Sequence, residues 1–281
     1  MSSAKTGARL RRLVRGLVPP RIRPALRRFV TDVPHRLRDF FPDAADTVAS
    51  LNSLPPAQLR ARVGLNSSRR EFLRVGESVA DDLLGSLGTI GVALAEFPVW
   101  LDFGCGCGRI ARHVVETSTV KKLFGVDIDR VAVDWSRRHL LGTYQVIQPN
   151  PPMGFKDGAF DLVYSVSVFT HLDEAAQRSW LSEILRVLRP GGLFVASTHA
   201  PELTWSRPDL TPQQHRALVE TGFLFAPGVY AFNEASAFHS EQYLRSEWGR
   251  FFQLQAFQSH GLAGYQDLAV WLKPPQPASS E

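Results

Sequence analysis

The chain has 281 residues, 44% of them hydrophobic, with a net charge of +5 and two cysteines. That apolar fraction supports a full core and excludes a wholly disordered chain. No run of 18 or more uncharged apolar residues is present, so no spanning helix is expected. Two cysteines make no disulfide framework, which suits a reducing cytoplasm.

The charge is concentrated at the start. Residues 1–40 carry eleven Lys or Arg against Asp32 and Asp39, a net of +9, which leaves the remainder at −4. The stretch "ARLRRLVRGLVPPRIRPALRRFV" interleaves arginines with Leu, Val, Ile and Phe. Three readings fit this arm: short amphipathic helices on an anionic membrane or a polyanion, an Arg-rich mitochondrial transit peptide, or a solvated or self-packing extension. Residues 41–68, with Pro42, Pro55 and Pro56, read as a linker, so 1–68 is taken as arm and linker and 69–281 as the folded domain.

Beyond it, helical material over 69–87 precedes an alternation of apolar strands and amphipathic helices. The patterning predicts strands at 99–103, 121–126, 144–147, 160–166 and 192–198, with helices at 108–116, 130–140 and 173–188. In the last helix Ala176, Trp180, Leu181, Ile184, Leu185 and Leu188 recur at helical spacing. Asp173 and Glu174 sit at its positive end, Arg186 and Arg189 at its negative end, and Pro190-Gly191-Gly192 stops it. Residues 199–239, with four prolines and scattered aromatics, read as an insertion over the sheet edge. A helix near 240–249 then leads into "RFFQLQAF" and "YQDLAVWLK", a closing pair of strands. Alternation of this kind predicts a parallel sheet covered on both faces.

The most informative stretch is "VWLDFGCGCGRIARHV", residues 99–114. Its glycines fall where a strand hands over to a helix, the place where a ligand approaches the main chain. A dinucleotide fingerprint would require a glycine at 109, and Arg109 stands there. Cys105 and Cys107 are too close for an unstrained disulfide and lack a second pair for zinc, so they are read as small packing residues and no metal site is expected.

The spacing Asp102-x-Gly104-x-Gly106-x-Gly108 instead resembles the first motif of class I S-adenosylmethionine-dependent methyltransferases. Three further segments in order strengthen the resemblance: "KLFGVDIDRVAVDWSRRHL", "GFKDGAFDLVYSVSVFTHL" and "LRVLRPGGLFVAST". The likeness covers about residues 70–200. It implies a Rossmann-like α/β fold: a seven-stranded, mostly parallel sheet with helices on both faces, the last strand antiparallel, plus an N-terminal helical extension. It also implies S-adenosyl-L-methionine as cofactor. Asp102, Gly104, Gly106 and Gly108 would pass under its amino-acid part, and Asp127, with Ile128 beside it, would hold the ribose. Ser165 would line the site from the fourth strand, while Phe72, Arg74 or Gly76 would contribute to its cover, Arg74 either pairing with the cofactor carboxylate or standing as a plain surface arginine.

Departures from the pattern matter equally. The acidic residue that usually follows the third strand is missing from "VIQPNPPMGF", where either Asn150 or the loop backbone takes its place. Asn150-Pro151-Pro152-Met153 mimics a motif of amine methyltransferases, but it precedes the fourth strand instead of following it. A nucleic-acid substrate is therefore not expected, and a small-molecule methyl acceptor, methylated on oxygen, is. His171 is the candidate base, with helix capping as its competing role. His199 and His239 are weaker candidates, and Trp205, Tyr230 and Phe232 are candidate walls for an apolar or sugar substrate.

Overall fold

The computed structural model describes residues 54–63, 68–116, 119–228 and 235–275. The basic arm, and with it every reading placed on it, lies outside the described residues, as do Tyr230 and Phe232. A seven-stranded sheet organises the rest: β1 (Val99–Phe103), β2 (Lys122–Asp127), β3 (Thr143–Val146), β4 (Phe160–Ser165), β5 (Leu188–Thr198), β8 (Gln253–Leu262) and β9 (Gln266–Leu272). A separate two-stranded hairpin, β6 (Phe223–Ala226) and β7 (Ser236–His239), lies within the insertion. The strand order is β3-β2-β1-β4-β5-β9-β8, parallel from β3 to β5, with β9 antiparallel to both of its neighbours.

Period-2 alternation in β1 sends side chains to two different layers. Leu101 and Phe103 pack on one face with Trp180 and Ile184 of α5 (Glu174–Val187). Trp100 faces the other layer, among Val79, Leu83 and Leu87 of α2 (Arg69–Thr89). Three of the helices that cover the sheet begin where side-chain oxygens satisfy the first free amides. Ser68 caps α2, Asp129 caps α4 (Arg130–His139) by accepting from Val131 N and Ala132 N, and Asp173 caps α5.

Several boundaries differ from the sequence reading. The helix predicted at 108–116 shrinks to α3 (Ala111–Val114), because Gly104, Gly106 and Gly108 all have positive φ and the chain is still turning. The strand predicted at 192–198 already begins at Leu188, so α5 runs directly into β5 and Pro190-Gly191-Gly192 lies inside the strand, beside an irregularity in its pairing with β4. The last pair of strands starts later than "RFFQLQAF" suggests, because α7 (Glu241–Glu247) continues into a tight turn over Trp248–Arg250. In the insertion, the prolines conceal order: α6 (Pro212–Thr221) starts on a Thr211/Gln214 capping box, ends at Gly222 and feeds the hairpin.

The linker also requires correction. Residues 54–63 contain α1 (Ala57–Arg62), and Leu54 and Leu59 pack with Phe72, Cys107, Ala132 and Trp135. Arg62 pairs with the capping Asp129 at 2.6 Å. A domain starting at residue 69 would leave this apolar surface bare.

Candidate functional site

The site is built where β1, β2, β4 and β5 end. After Phe103 the chain must turn at once, and it does so over the end of β2: Gly104 N and Cys105 N both donate to Val126 O, at 2.8 and 3.0 Å. Asp127 fastens the same turn. Its Oδ2 accepts from Gly106 N at 2.7 Å and its Oδ1 from Asp129 N at 2.8 Å. A carboxylate offers about four lone-pair sites, so both oxygens retain acceptor capacity. Burial pushes the Asp127 pKa up, and the two amides oppose that shift.

The glycines answer first to protein neighbours. A Cβ at Gly104 would meet Val168, one at Gly106 would meet Val63, and one at Gly108 would meet Leu140. The turn is thus closed over by the loop after β4, by residues just after α1 and by the end of α4. Asp102, next to the turn, is buried on the α2 side opposite Tyr164, and burial raises its pKa to about 7. Cys105 and Cys107 are buried and unbonded to each other, and burial pushes the Cys107 thiol up to about 12. Both occupy packing positions.

The remaining cofactor candidates divide. Ile128 is partly exposed beside Asp127. Asn150 is exposed in a loop anchored at both ends, by Ile147 N on Asp127 O and by Gln145 Nε2 on Met153 O. Ser165, at the end of β4, is fully buried, and its Oγ has no hydrogen-bond partner among the described residues. From α2, Phe72 is buried beneath the Arg112 guanidinium, in the cluster that holds Cys107. Arg74 turns to solvent and is engaged by Glu71 at 2.7 Å, one helical turn away. Gly76 is buried where a Cβ would strike the Arg109 carbonyl and the His113 ring, so it permits close approach of α2 to the segment leading into α3. The structure brings Asp102, Asp127, Ser165 and the glycines together. It does not bring Arg74 or Gly76 into that group.

On the acceptor side stands His171. Its Nδ1 lies 2.7 Å from the Ala235 carbonyl, which can only accept, so the ring proton is on Nδ1 and Nε2 presents a lone pair. Burial lowers its pKa and the Ala235 carbonyl opposes that. His199, just past β5, packs against Phe238 and Tyr265, and burial together with His171 lowers its pKa to about 4. His239 has a structural assignment. It is buried and donates through Nε2 to Gln177 Oε1 at 3.0 Å, and burial puts its pKa at about 3. Gln177 also accepts from Trp248 Nε1 at 3.3 Å and donates to the Phe169 and Leu172 carbonyls at 3.2 and 3.0 Å.

Sequence reasoning missed Ser167 and Gln266. Ser167 adopts φ 61°, donates its amide to Ser197 Oγ at 2.8 Å and accepts from Gln266 Nε2 at 3.0 Å. No residue-type signal marks that turn. Gln266 was within reach, because an antiparallel last strand beside β5 places its first residue at the carboxyl end of β5. Trp205 is exposed with its ring 6.4 Å from that of Tyr265. No helix among the described residues is long and apolar enough to cross a membrane.

Comparison with known proteins places this geometry. Residues 101–196 match the model of a family described as "Methyltransferase domain". The chain is 36% identical over 102 residues to "Arginine-hydroxylase NDUFAF5, mitochondrial" of Mus musculus, covering 36% of this chain and 29% of that protein. It is 30% identical over 129 residues to the malonyl-[acyl-carrier protein] O-methyltransferase of Porphyromonas gingivalis, covering 46% of each. It thus spans less than half the length of these curated relatives. A solved S-adenosylmethionine-dependent methyltransferase from Clostridium acetobutylicum superposes with a TM-score of 0.50 at 11% identity, over 70% of this chain and 91% of that one, a likeness of fold. Residues 101–196 thus match a methyltransferase-domain model, and the glycine turn, the carboxylate at the end of β2 and the strand order belong to the fold shared with that S-adenosylmethionine-dependent enzyme.

Proposed function

We propose that the chain transfers a methyl group from S-adenosylmethionine to a hydroxyl of a small molecule. The observation that carries the choice of oxygen is His171: its proton is committed to the Ala235 carbonyl, which leaves Nε2 free to accept one. His171 is tied to the glycine turn through Val168, whose side chain lies against Gly104 and whose carbonyl accepts from His171 N at 2.9 Å.

The residues present fit the cofactor. Asp127 has unused lone pairs for a ribose diol, and the Ser165 hydroxyl is buried without a partner among the described residues. Ile128, partly exposed next to Asp127, and the exposed Asn150 are assigned to the adenine end. Phe72 supports the turn from beneath, Arg74 pairs within α2, and Gly76 lets α2 approach the segment leading into α3.

When bound, S-adenosylmethionine supplies a methyl on a sulfonium, whose sulfur keeps the electron pair of the broken C–S bond. The acceptor hydroxyl forms the new O–C bond with a lone pair, and His171 Nε2 receives its proton and passes it to water. Such a base contributes typically 10² to 10⁴-fold. Holding the two reactants in line and excluding water contributes roughly 7 to 11 kcal/mol when alignment is very good. The buried aromatic layer of Phe103, Phe169 and Trp180 gives that alignment a stiff floor.

Calorimetry tests the reading. S-adenosylmethionine should bind the full chain, and Asp127→Ala should weaken binding at least about tenfold, the loss of two hydrogen bonds to a charged group. Unchanged affinity in Asp127→Ala, or no binding by the wild type, refutes it. A second reading, a membrane- or polyanion-associated cofactor-binding protein with a basic tether, rests on the +9 charge of residues 1–40. Cytoplasmic location belongs to the same proposal and is supported by the cysteine usage alone.

A further inference from the structure

At the carboxyl ends of β4 and β5, four buried polar atoms lack hydrogen-bond partners among the described residues: Ser165 Oγ, Thr198 Oγ1, His199 Nδ1 and Gln266 Oε1. Buried polar atoms are paired in the great majority of cases, so a group of orphans at one end of a sheet marks a place for a ligand's own polar atoms. Ser165 belongs to the cofactor side. The register that pairs Thr198 with Asp267 sets Gln266 beside His199, while strand alternation turns Thr198 to the opposite face.

Their hydrogen bonds fix the direction of each donor. Gln266 Nε2 lies 3.0 Å from Ser167 Oγ and 3.1 Å from His199 Nε2, so the amide donates to both. The ring proton of His199 therefore sits on Nδ1, buried and unspent. His171 has the complementary arrangement, its Nδ1–H spent on Ala235 and its Nε2 bare. Two neighbouring imidazoles thus offer one donor and one acceptor. Both are neutral at physiological pH, since burial lowers each pKa, and among the described residues no Lys or Arg acts on either. The charges acting on nearby Asp267 are those of His260 and Glu202. Among the described residues an anionic acceptor would find no counter-charge here. Beside His199, the Tyr265 ring at 6.0 Å and the exposed Trp205 beyond it offer aromatic surface to a flat or puckered ring.

We propose that His199, seated by Gln266, is the donor arm of a subsite for the methyl acceptor, and that this subsite takes an uncharged ring with adjacent hydroxyls. His199 Nδ1–H donates to one oxygen, while the neighbouring hydroxyl takes the methyl and loses its proton to His171 Nε2. The inference rests on the methyltransferase reading above.

Two substitutions separate this role from packing. His199→Asn keeps an N–H donor near the position of Nδ1 and gives up the contact with Gln266. His199→Gln keeps a partner for Gln266 and gives up the donor. With S-adenosylhomocysteine present, the full chain is titrated by ligand-detected NMR with methyl α-D-glucopyranoside and with catechol, which separate a saturated ring from an aromatic one, and with benzoate as the anionic control. At least one of the two diols is expected to bind; His199→Asn should retain its affinity within about threefold and His199→Gln should weaken it about tenfold or more. Nitrogen NMR of the wild type should show the proton of His199 on Nδ1. Equal losses in the two variants, a better-binding Gln variant, an Nε2–H tautomer, no binding of either diol, or equal binding of benzoate each overturn the subsite. S-adenosylmethionine affinity, measured by calorimetry, should match in all three proteins. Its absence from the wild type defeats the methyltransferase reading itself, whereas intact cofactor binding with indistinguishable variants defeats the subsite alone.

Discussion

Asp102→Asn isolates the electrostatics beneath the glycine turn. Burial raises the Asp102 pKa from 3.8 to about 7, and the Tyr164 hydroxyl beside it limits the rise. The folded chain therefore keeps this proton over a range in which the unfolded chain releases it. The stabilising contribution of the protonated group is complete below about pH 3.8 and is lost as pH rises through about 7, roughly 4 kcal/mol in all. Between pH 5 and pH 8 the loss is roughly 2.5 kcal/mol by the same linkage relation. Asparagine has nearly the same shape, still offers a carbonyl to Tyr164 and does not titrate. Urea unfolding of both proteins across this range should show the stability of Asp102→Asn relative to wild type improving by roughly 2.5 kcal/mol from pH 5 to pH 8. A relative stability of Asp102→Asn that stays flat, or that worsens as pH rises, would show that Asp102 is ionised in the folded protein.

Further outcomes follow from the same geometry. Gly104 has φ 88° and its Cβ position is taken by Val168, so Gly104→Ala should cost about 1–3 kcal/mol in thermal unfolding. Gly85→Ala, inside α2 with nothing near its Cβ, should instead stabilise by about 0.5–1 kcal/mol. His171→Ala should lower kcat by about 10² to 10⁴-fold with cofactor affinity unchanged. Because burial lowers the pKa of His171 below its ordinary 6.5, the acid limb of the wild-type rate profile should lie below that pH, with the base deprotonated and active above it. Removing residues 1–53 should abolish binding to vesicles containing anionic lipid and leave calorimetric binding of S-adenosylmethionine intact. Retention of vesicle binding would place the attraction elsewhere.

What was legible in the sequence was whatever a short stretch dictates by itself. The alternation in β1, the glycines at 104, 106 and 108, and Asp127 at the end of β2 lie on contiguous chain, and the parallel order follows from alternating strands and helices. Other features required partners distant in sequence. Leu54 and Leu59 lie among prolines and become ordered by meeting Phe72 and Trp135. The β6–β7 hairpin is held by His199, whose carbonyl accepts from His239 N at 2.8 Å. Ser167 takes a left-handed conformation that its residue type does not announce, and Arg74 reads as a ligand for an anion until Glu71, one turn away, is seen to hold it.

Gln177 carries a consequence for how this protein can change over time. Its single amide serves the loop that bears His171, the last residue of the hairpin and the Trp248 ring, so three separately encoded segments meet at one side chain. Substitutions in those segments should not be independent. A change at His239 alters what is tolerated at Trp248, and a double-mutant cycle across the two should show coupling far from zero. A lineage that remodels the insertion for a new acceptor is thereby steered towards the parts of it that do not touch Gln177.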